Sequence, residues 1–265
     1  MTLLPGVTVV MPTLNEAGHI AALMAQVAAA ARTMTREVEL LVVDDDSADG
    51  TWELAGRAAV PGARVRVLRR TEDHGLTPSL RAGIAAAAHD VIVWMDCDFS
   101  HPPERIPQML YMLGQGFDVA VNSRYAVGGG EDRAGKGGPL QLALSKTLNW
   151  SIRFLLEPSF ADYTSGFIAV RRHVLDDIPL RGDYGEYFLD FIYRVLRGGH
   201  RVCELPYFAP PRRSGESKTG QNLGDYWRRG RKYLLAVAKV RLESLRSAPS
   251  APRRRPAAPA VEVVK

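Results

Sequence analysis

Short apolar runs alternate along the first part of the chain with stretches whose apolar positions recur at helical spacing. The alternation predicts strands at 7–11, 39–43, 65–69 and 90–95, with helices at 17–32, 51–60 and 78–88 between them. Strands separated by helices pair in parallel, and both faces of such a sheet must be covered. Beyond residue 102 the pattern loosens. It reads as a helix at 105–113, a strand at 118–122, a glycine-rich basic loop at 125–138, an amphipathic helix at 140–156, a strand at 167–170, a helix at 187–197 and a last strand at 201–206. Residues 221–246 set Tyr226, Tyr233, Leu234, Val237, Val240 and Leu245 among arginines and lysines, the pattern of a basic amphipathic helix. Proline, alanine and arginine crowd 247–265, which predicts a disordered tail. The chain thus divides into an α/β domain at 1–220, a basic helix at 221–246 suited to a membrane surface, and the tail at 247–265.

The strand predicted at 90–95 runs into Asp96 and Asp98, two carboxylates one residue apart. Like charges that close repel unless a cation neutralises them. Mg²⁺ and Mn²⁺ take carboxylate oxygen and fill their other positions with water and diphosphate oxygens, so the pair reads as a metal and diphosphate platform. Taken alone, such a pair is more often simply a polar strand end. Ligands of parallel α/β sheets sit at the carboxyl ends of the strands, where the chain also places Glu16 and the run Asp44, Asp45, Asp46. Each of those three aspartates could instead cap the next helix, a role open to Ser47 and Asp49 as well. Three acidic loops on one rim shift the set toward function. His101 is either a further ligand or part of the turn made by His101-Pro102-Pro103.

Composition adds bounds. Hydrophobic residues make up 46% of the 265 and charged residues 24%, which fits a packed domain. Cys97 and Cys203 have neither disulfide nor metal-site spacing, and no apolar stretch approaches a membrane span. The start of the chain lacks a basic region followed by an apolar core. A cytoplasmic protein, peripheral on the cytoplasmic face of a membrane, is the expectation. The net charge is +5, and much of the basic excess follows Arg212, which predicts an anionic surface or ligand there. No nucleic-acid partner is expected.

Five segments carry a resemblance: Val9-Val10-Met11-Pro12-Thr13-Leu14-Asn15-Glu16, Val42-Val43-Asp44-Asp45-Asp46-Ser47-Ala48-Asp49-Gly50-Thr51, Met95-Asp96-Cys97-Asp98-Phe99-Ser100-His101-Pro102-Pro103-Glu104, Ser123-Arg124-Tyr125 and Gly215-Glu216-Ser217-Lys218. Together, in order and spacing, they resemble glycosyltransferase family 2, nearest its dolichol-phosphate or polyprenol-phosphate mannose synthases. The resemblance implies a GT-A fold, a mostly parallel sheet flanked by helices. It also implies a nucleotide-sugar donor, usually GDP-mannose, a divalent metal, Mg²⁺ or Mn²⁺, and inverting transfer to a polyprenyl phosphate. By the same resemblance Pro12, Leu14, Glu16, Val43, Asp45, Asp96, Cys97, Asp98 and Arg124 form the nucleotide-sugar site. Asp96, Asp98 and Ser100 form the metal site. Leu14 stands where the family commonly has tyrosine, and Ser100 where some members have a ligating glutamine.

Two anionic groups must meet in such a reaction. A phosphate monoester is largely dianionic at neutral pH, with a second pKa near ~6, so it needs cationic escort more than a base. Arg124, Arg133, Arg212, Arg213 and Lys218 are the candidates, with Ser145 beside them. Gln141 stands where many relatives have an arginine, a place Arg133 or Lys136 could fill. Asp190 falls near an acidic residue of inverting relatives and reads either as an acceptor-orienting group or base, or as a salt-bridge or capping residue. Trp150, Phe154 and Phe160 are expected to pack the core, or else to line a lipid-facing groove. Two other functions compete: a family 2 transferase acting on a soluble or cell-surface glycan, and a non-catalytic membrane-associated module that binds nucleotide sugar. A separate membrane-anchoring partner stays open.

Overall fold

The computed structural model describes residues 3–131, 139–183, 185–210 and 223–246, with side chains of 139–145, 223–231 and 246 outside the description. Strands β1 (Leu4–Thr13), β2 (Thr35–Asp44), β3 (Arg64–Arg69) and β4 (Val91–Trp94) alternate with helices α1 (Ile20–Ala31), α2 (Thr51–Arg57) and α3 (Leu76–Ala86), as the apolar pattern predicts. A 3-10 turn, Pro103–Arg105, leads into α4 (Ile106–Gly114), then β5 (Val119–Ser123), β6 (Gly130–Glu131) and α5 (Pro139–Leu155). The remainder is β7 (Ile168–Arg171), α6 (Arg172–Asp177), α7 (Glu186–Arg197), β8 (Val202–Pro206), β9 (Phe208–Ala209) and α8 (Leu223–Arg246).

The main sheet has the order β3-β2-β1-β4-β7-β5-β8. β1 pairs in parallel with β2 and β4, β2 with β3, and β5 with β8. β7 runs antiparallel between β4 and β5, which brings the segment before it to the carboxyl ends of the parallel strands. A short apolar run carries no sign of its direction, so this reversal is not legible in the sequence. Nor are the two-residue strands β6 and β9, which pair with each other, or the six-residue α6; none is long enough to show a period.

Each face of the sheet has its own core. On one face Ile20, Leu23, Met24 and Val27 of α1 and Ile106, Met109, Leu110 and Leu113 of α4 cover Val9, Met11, Val42 and Val93. On the other, Leu80 of α3 and Phe188, Phe191, Ile192 and Val195 of α7 cover Val10, Val43, Ile92 and Trp94. Val237 and Val240 of α8 belong to this second core, whereas Leu234, Leu235, Leu242 and Leu245 are exposed. Among the described residues, no helix is long and apolar enough to cross a membrane.

Helical geometry overturns the core expectation for two aromatics. Asn149 and Ile152 of α5 face inward, so Trp150 and Phe154, one turn apart, point out, 66% and 70% exposed. Their rings stack at 6.0 Å. Phe160 is buried as expected.

α3 lies close on the sheet because Gly83 has no side chain. A Cβ there would stand 2.4 Å from Val10 Cγ1 and 3.0 Å from Val43 Cγ2, both in the packed core. Gly83→Ala should therefore destabilise by about 1–3 kcal/mol, since overpacking outweighs the helix propensity gained. Urea unfolding checks this, and an unchanged or higher midpoint would contradict the close packing.

Candidate active site

Because β1, β2 and β4 are parallel neighbours, the loops after them leave the sheet at one rim. Asp44 locks two of these loops. Its fully buried carboxylate accepts from Thr13 Oγ1 at 2.7 Å, Ser47 N–H at 2.8 Å and Ser47 Oγ at 2.7 Å. Gly50 is the N-cap of α2, and Asp49 just before it ties the loop to the helix start, accepting from Thr51 N–H and Ala17 N–H, both at 3.0 Å. Asp45 accepts from Arg70, Ser79 Oγ and Gly75 N–H, and Asp46 pairs with Arg69. Glu16 is held by its own N–H, which donates to Thr51 Oγ1 at 2.8 Å, and by His19 Nε2, 2.9 Å from its carboxylate.

At the end of β4 the two aspartates differ. The Asp96 side chain is 44% exposed, whereas Asp98 is buried and accepts from the backbone N–H of Ser100 at 2.9 Å and from its hydroxyl. Ser100 thus supports Asp98 directly. His101 Nδ1 accepts the Asp96 N–H at 2.9 Å, so the ring proton sits on Nε2, 4.0 Å from the Asp96 carboxylate. The ring stacks on Phe167 at 4.8 Å. Of its two expected roles, His101 fills that of shaping the turn. Phe99 takes φ 63°, a strained value for a side chain of that size, and its buried ring lies 5.8 Å from His19 of the first loop.

Cys97 reports how far the acidic loops converge. Its thiol is pushed well above the ordinary range, first by burial and then by the charges of Glu16, Asp96, Asp98 and Asp44. Four carboxylates from three loops therefore act on one buried atom. Val43 and Pro12 pair across the ends of β2 and β1; the Val43 side chain is wholly buried in the second core and Pro12 is half-buried. Leu14 is 39% exposed at the loop surface.

The antiparallel strand supplies the other side of the rim. Arg124, just past β5, donates from Nε at 3.0 Å and from one terminal nitrogen at 3.1 Å to Asp162, and that nitrogen also reaches Thr164 O and Oγ1 at 2.9 Å. Its other terminal nitrogen is 3.9 Å from Glu131. The fork expected to meet phosphate is thus closed on a buried carboxylate. Burial alone would raise the Asp162 pKa, but the Arg124 charge and hydrogen bonds outweigh it and hold the carboxyl below its usual range. Glu204 of β8 in turn accepts from Ala161 N–H at 2.6 Å and Asp162 N–H at 3.0 Å. Sequence reasoning misses Asp162, Thr164, Glu131 and Glu204. Asp162, Thr164 and Glu131 lie in stretches without period and Glu204 in the predicted last strand, and a polar pair just before a buried strand is the available signal.

Tyr187 opens α7 beneath Asp96. Its buried hydroxyl accepts from Trp94 Nε1 at 3.0 Å, and its pKa is raised well beyond the usual range, by burial first and the Asp96 charge second. Asp190, one turn on, pairs with Arg194 Nε at 2.9 Å, and Arg194 also donates to Pro179 O at 2.7 Å. The structure gives Asp190 its salt-bridge reading. Arg133, Lys136, Arg212, Arg213 and Lys218 lie outside the described residues, as do the side chains of Gln141 and Ser145.

Comparison with known proteins agrees with this geometry. The family described as Glycosyl transferase family 2 matches residues 8–179. The chain is 37% identical over 224 residues to the polyprenol monophosphomannose synthase of Mycolicibacterium smegmatis, covering 81% of this chain and 82% of that protein. It is 33% identical to the dolichol-phosphate mannosyltransferase of Pyrococcus furiosus, covering 84% of this chain and 62% of that protein. Among solved structures, glucosyl-3-phosphoglycerate synthase of Mycobacterium tuberculosis with Mn²⁺, UDP-glucose and phosphoglyceric acid superposes with a TM-score of 0.66 at 20% identity, over 89% of this chain and 79% of that one. A mostly parallel sheet flanked by helices, acidic loops gathered at its carboxyl rim and a family match across most of the sheet lead to one assignment: the chain belongs to glycosyltransferase family 2 and is a glycosyltransferase of GT-A fold.

Proposed function

We propose that this rim transfers a sugar, mannose from GDP-mannose, to the monophosphate of a polyprenol with inversion at the transferred carbon. The observation that carries the reading is that Glu16, Asp44, Asp96 and Asp98 lie at the ends of the parallel neighbours β1, β2 and β4, at one rim around buried Cys97, a density of negative charge suited to a divalent cation and a diphosphate. Asp96, the exposed carboxylate, and Asp98, steadied by Ser100, would hold Mg²⁺ or Mn²⁺. A bound ion supplies neutralisation of the charge that develops on the departing nucleoside diphosphate. Glu16, Asp45, Pro12 and Leu14 form the nucleotide side of the site. Arg124 positions the opposite wall through Asp162, with its remaining nitrogen 3.9 Å from Glu131. Arg133, Arg212 and Lys218, with Ser145, escort the acceptor phosphate. The relatives named as mannosyltransferases of lipid phosphates support this acceptor. A relative of Aeromonas hydrophila named undecaprenyl-phosphate 4-deoxy-4-formamido-L-arabinose transferase, 29% identical, supports a second reading in which the lipid phosphate is kept and the sugar differs. Incubation with membranes and a panel of labelled GDP- and UDP-sugars decides between them: labelled lipid from GDP-mannose supports the first, labelled lipid from another donor the second, and label in soluble glycan alone refutes both.

The acceptor places the enzyme at a membrane surface. Trp150 and Phe154 on α5 and Leu234, Leu235, Leu242 and Leu245 on α8 are exposed, and Lys232, Lys239 and Arg241 lie among the α8 leucines. Basic residues near an anionic bilayer contribute about 1 kcal/mol each, and a buried aromatic about 1.5–3 kcal/mol. Binding to anionic vesicles should weaken with salt, and Trp150→Ser with Phe154→Ser should weaken it at least ~10-fold. Sedimentation that is equal on neutral and anionic vesicles, or unmoved by the double substitution, would reject this surface. Truncation before α8 is a poor test because Val237 and Val240 are part of the core.

A further inference from the structure

At the rim opposite the acidic loops, antiparallel β7 ends beside the starts of β5 and β8. Three side chains meet there: Asp118 just before β5, His173 in α6 and His200 just before β8. We infer that Asp118, His173 and His200 form a binding site for Zn²⁺ or a similar borderline divalent ion, separate from the carboxylates at the other rim. One ligand atom from each lies within 4.8 Å of the others. His173 Nε2 is 3.3 Å from Asp118 Oδ1, and His200 Nδ1 is 4.0 Å from Asp118 Oδ2. Tetrahedral bonds of ~2.0–2.1 Å place neighbouring ligand atoms about 3.3 Å apart, so His173 and Oδ1 already have that separation, while His200, which faces the other oxygen of the carboxylate, must move closer to share the ion.

The backbone fixes the carboxylate. Asp118 N–H donates to Arg201 O at 2.8 Å, Arg201 N–H donates to Asp118 Oδ2 at 2.9 Å, and Arg171 N–H donates to Asp118 O at 3.0 Å. Arg171 donates to the carbonyls of Leu113 and Phe117, Arg172 to those of Ala87 and His89, and Arg201 lies over the Phe117 ring at 4.9 Å. Two imidazoles with one carboxylate suit Zn²⁺ and disfavour Mg²⁺, which demands oxygen. The His173 side chain is 42% exposed, which gives an ion its entry path and leaves a coordination position to water. A bound ion ties the ends of β5 and β8 to α6, so it acts on stability rather than on the reacting atoms.

The test uses tag-free full-length protein carrying Asp96→Asn and Asp98→Asn, which removes the other carboxylate pair. After dialysis against Zn²⁺, a single ion per chain should be retained and the melting temperature raised, and added His173→Ala or His200→Ala should abolish both effects. Co²⁺ in place of Zn²⁺ should give the visible bands of a four- or five-coordinate nitrogen and oxygen site, absent from His173→Ala. The surface position of His173 makes its alanine variant a fair one, with far-UV circular dichroism as the check on folding. No retained Zn²⁺ in the parent, or equal retention in both histidine variants, overturns the site and leaves a carboxylate paired with imidazoles.

Discussion

Replacing Asp96 or Asp98 with alanine is expected to lower kcat at least ~10²-fold, the scale on which losing charge stabilisation in a transition state is felt. The two substitutions should differ in side effects. The Asp96 side chain is 44% exposed and its carboxylate stands 4.0 Å from the His101 ring, beyond hydrogen-bonding distance, so Asp96→Ala should unfold with a near-native midpoint. Asp98 is buried and holds the Ser100 N–H and hydroxyl, so Asp98→Ala should also loosen the turn and lose about 1–3 kcal/mol of stability. Steady-state kinetics beside urea unfolding separates the effects. Activity that survives in chelator with both aspartates replaced would show that the pair is not the cation platform.

Arg124→Ala is expected to cost about 3–5 kcal/mol of stability as well as activity, because it strands a fully buried carboxylate. From sequence, Arg124 is a candidate phosphate ligand. With Asp162 in its fork, the larger effect moves to folding. Arg124→Lys should recover part of the charge but not the two parallel hydrogen bonds or the bonds to Thr164, so it should stay well short of the wild type. The pH dependence has a definite sign. A carboxyl held below its unfolded value stabilises the fold above about pH 4, and that contribution is lost as pH falls through the depressed value. The wild-type advantage over Arg124→Ala should therefore shrink in acid. A wild-type-like midpoint for Arg124→Ala at neutral pH would contradict this role.

These differences show what a sequence makes legible. The strands and helices up to residue 95 announce themselves because apolar periodicity is set by burial on one or two faces, and the acidic loops follow because the carboxyl ends of parallel strands must share a rim. What each acidic residue does is not legible. Asp44 as a loop lock, Asp49 as the acceptor for Ala17 and Asp45 as the partner of Arg70 depend on donors from distant segments. The Arg124–Asp162 pair depends on the direction of β7, and direction leaves no trace in a short apolar run. Trp150 and Phe154 escape for a simpler reason: an aromatic pair reads the same on either face of a helix, and here the inward face is taken by Asn149 and Ile152.

Transfer to a lipid phosphate is tested most directly by comparing two lipids that differ by that group alone. Purified protein is incubated with labelled GDP-mannose, divalent ion and vesicles holding either polyprenyl phosphate or the corresponding free polyprenol. Label is expected in the phosphate-bearing lipid, none in the alcohol, and a single inverted anomer of the product by NMR. Equal labelling of both lipids, or release of nucleotide without any labelled lipid, would contradict it.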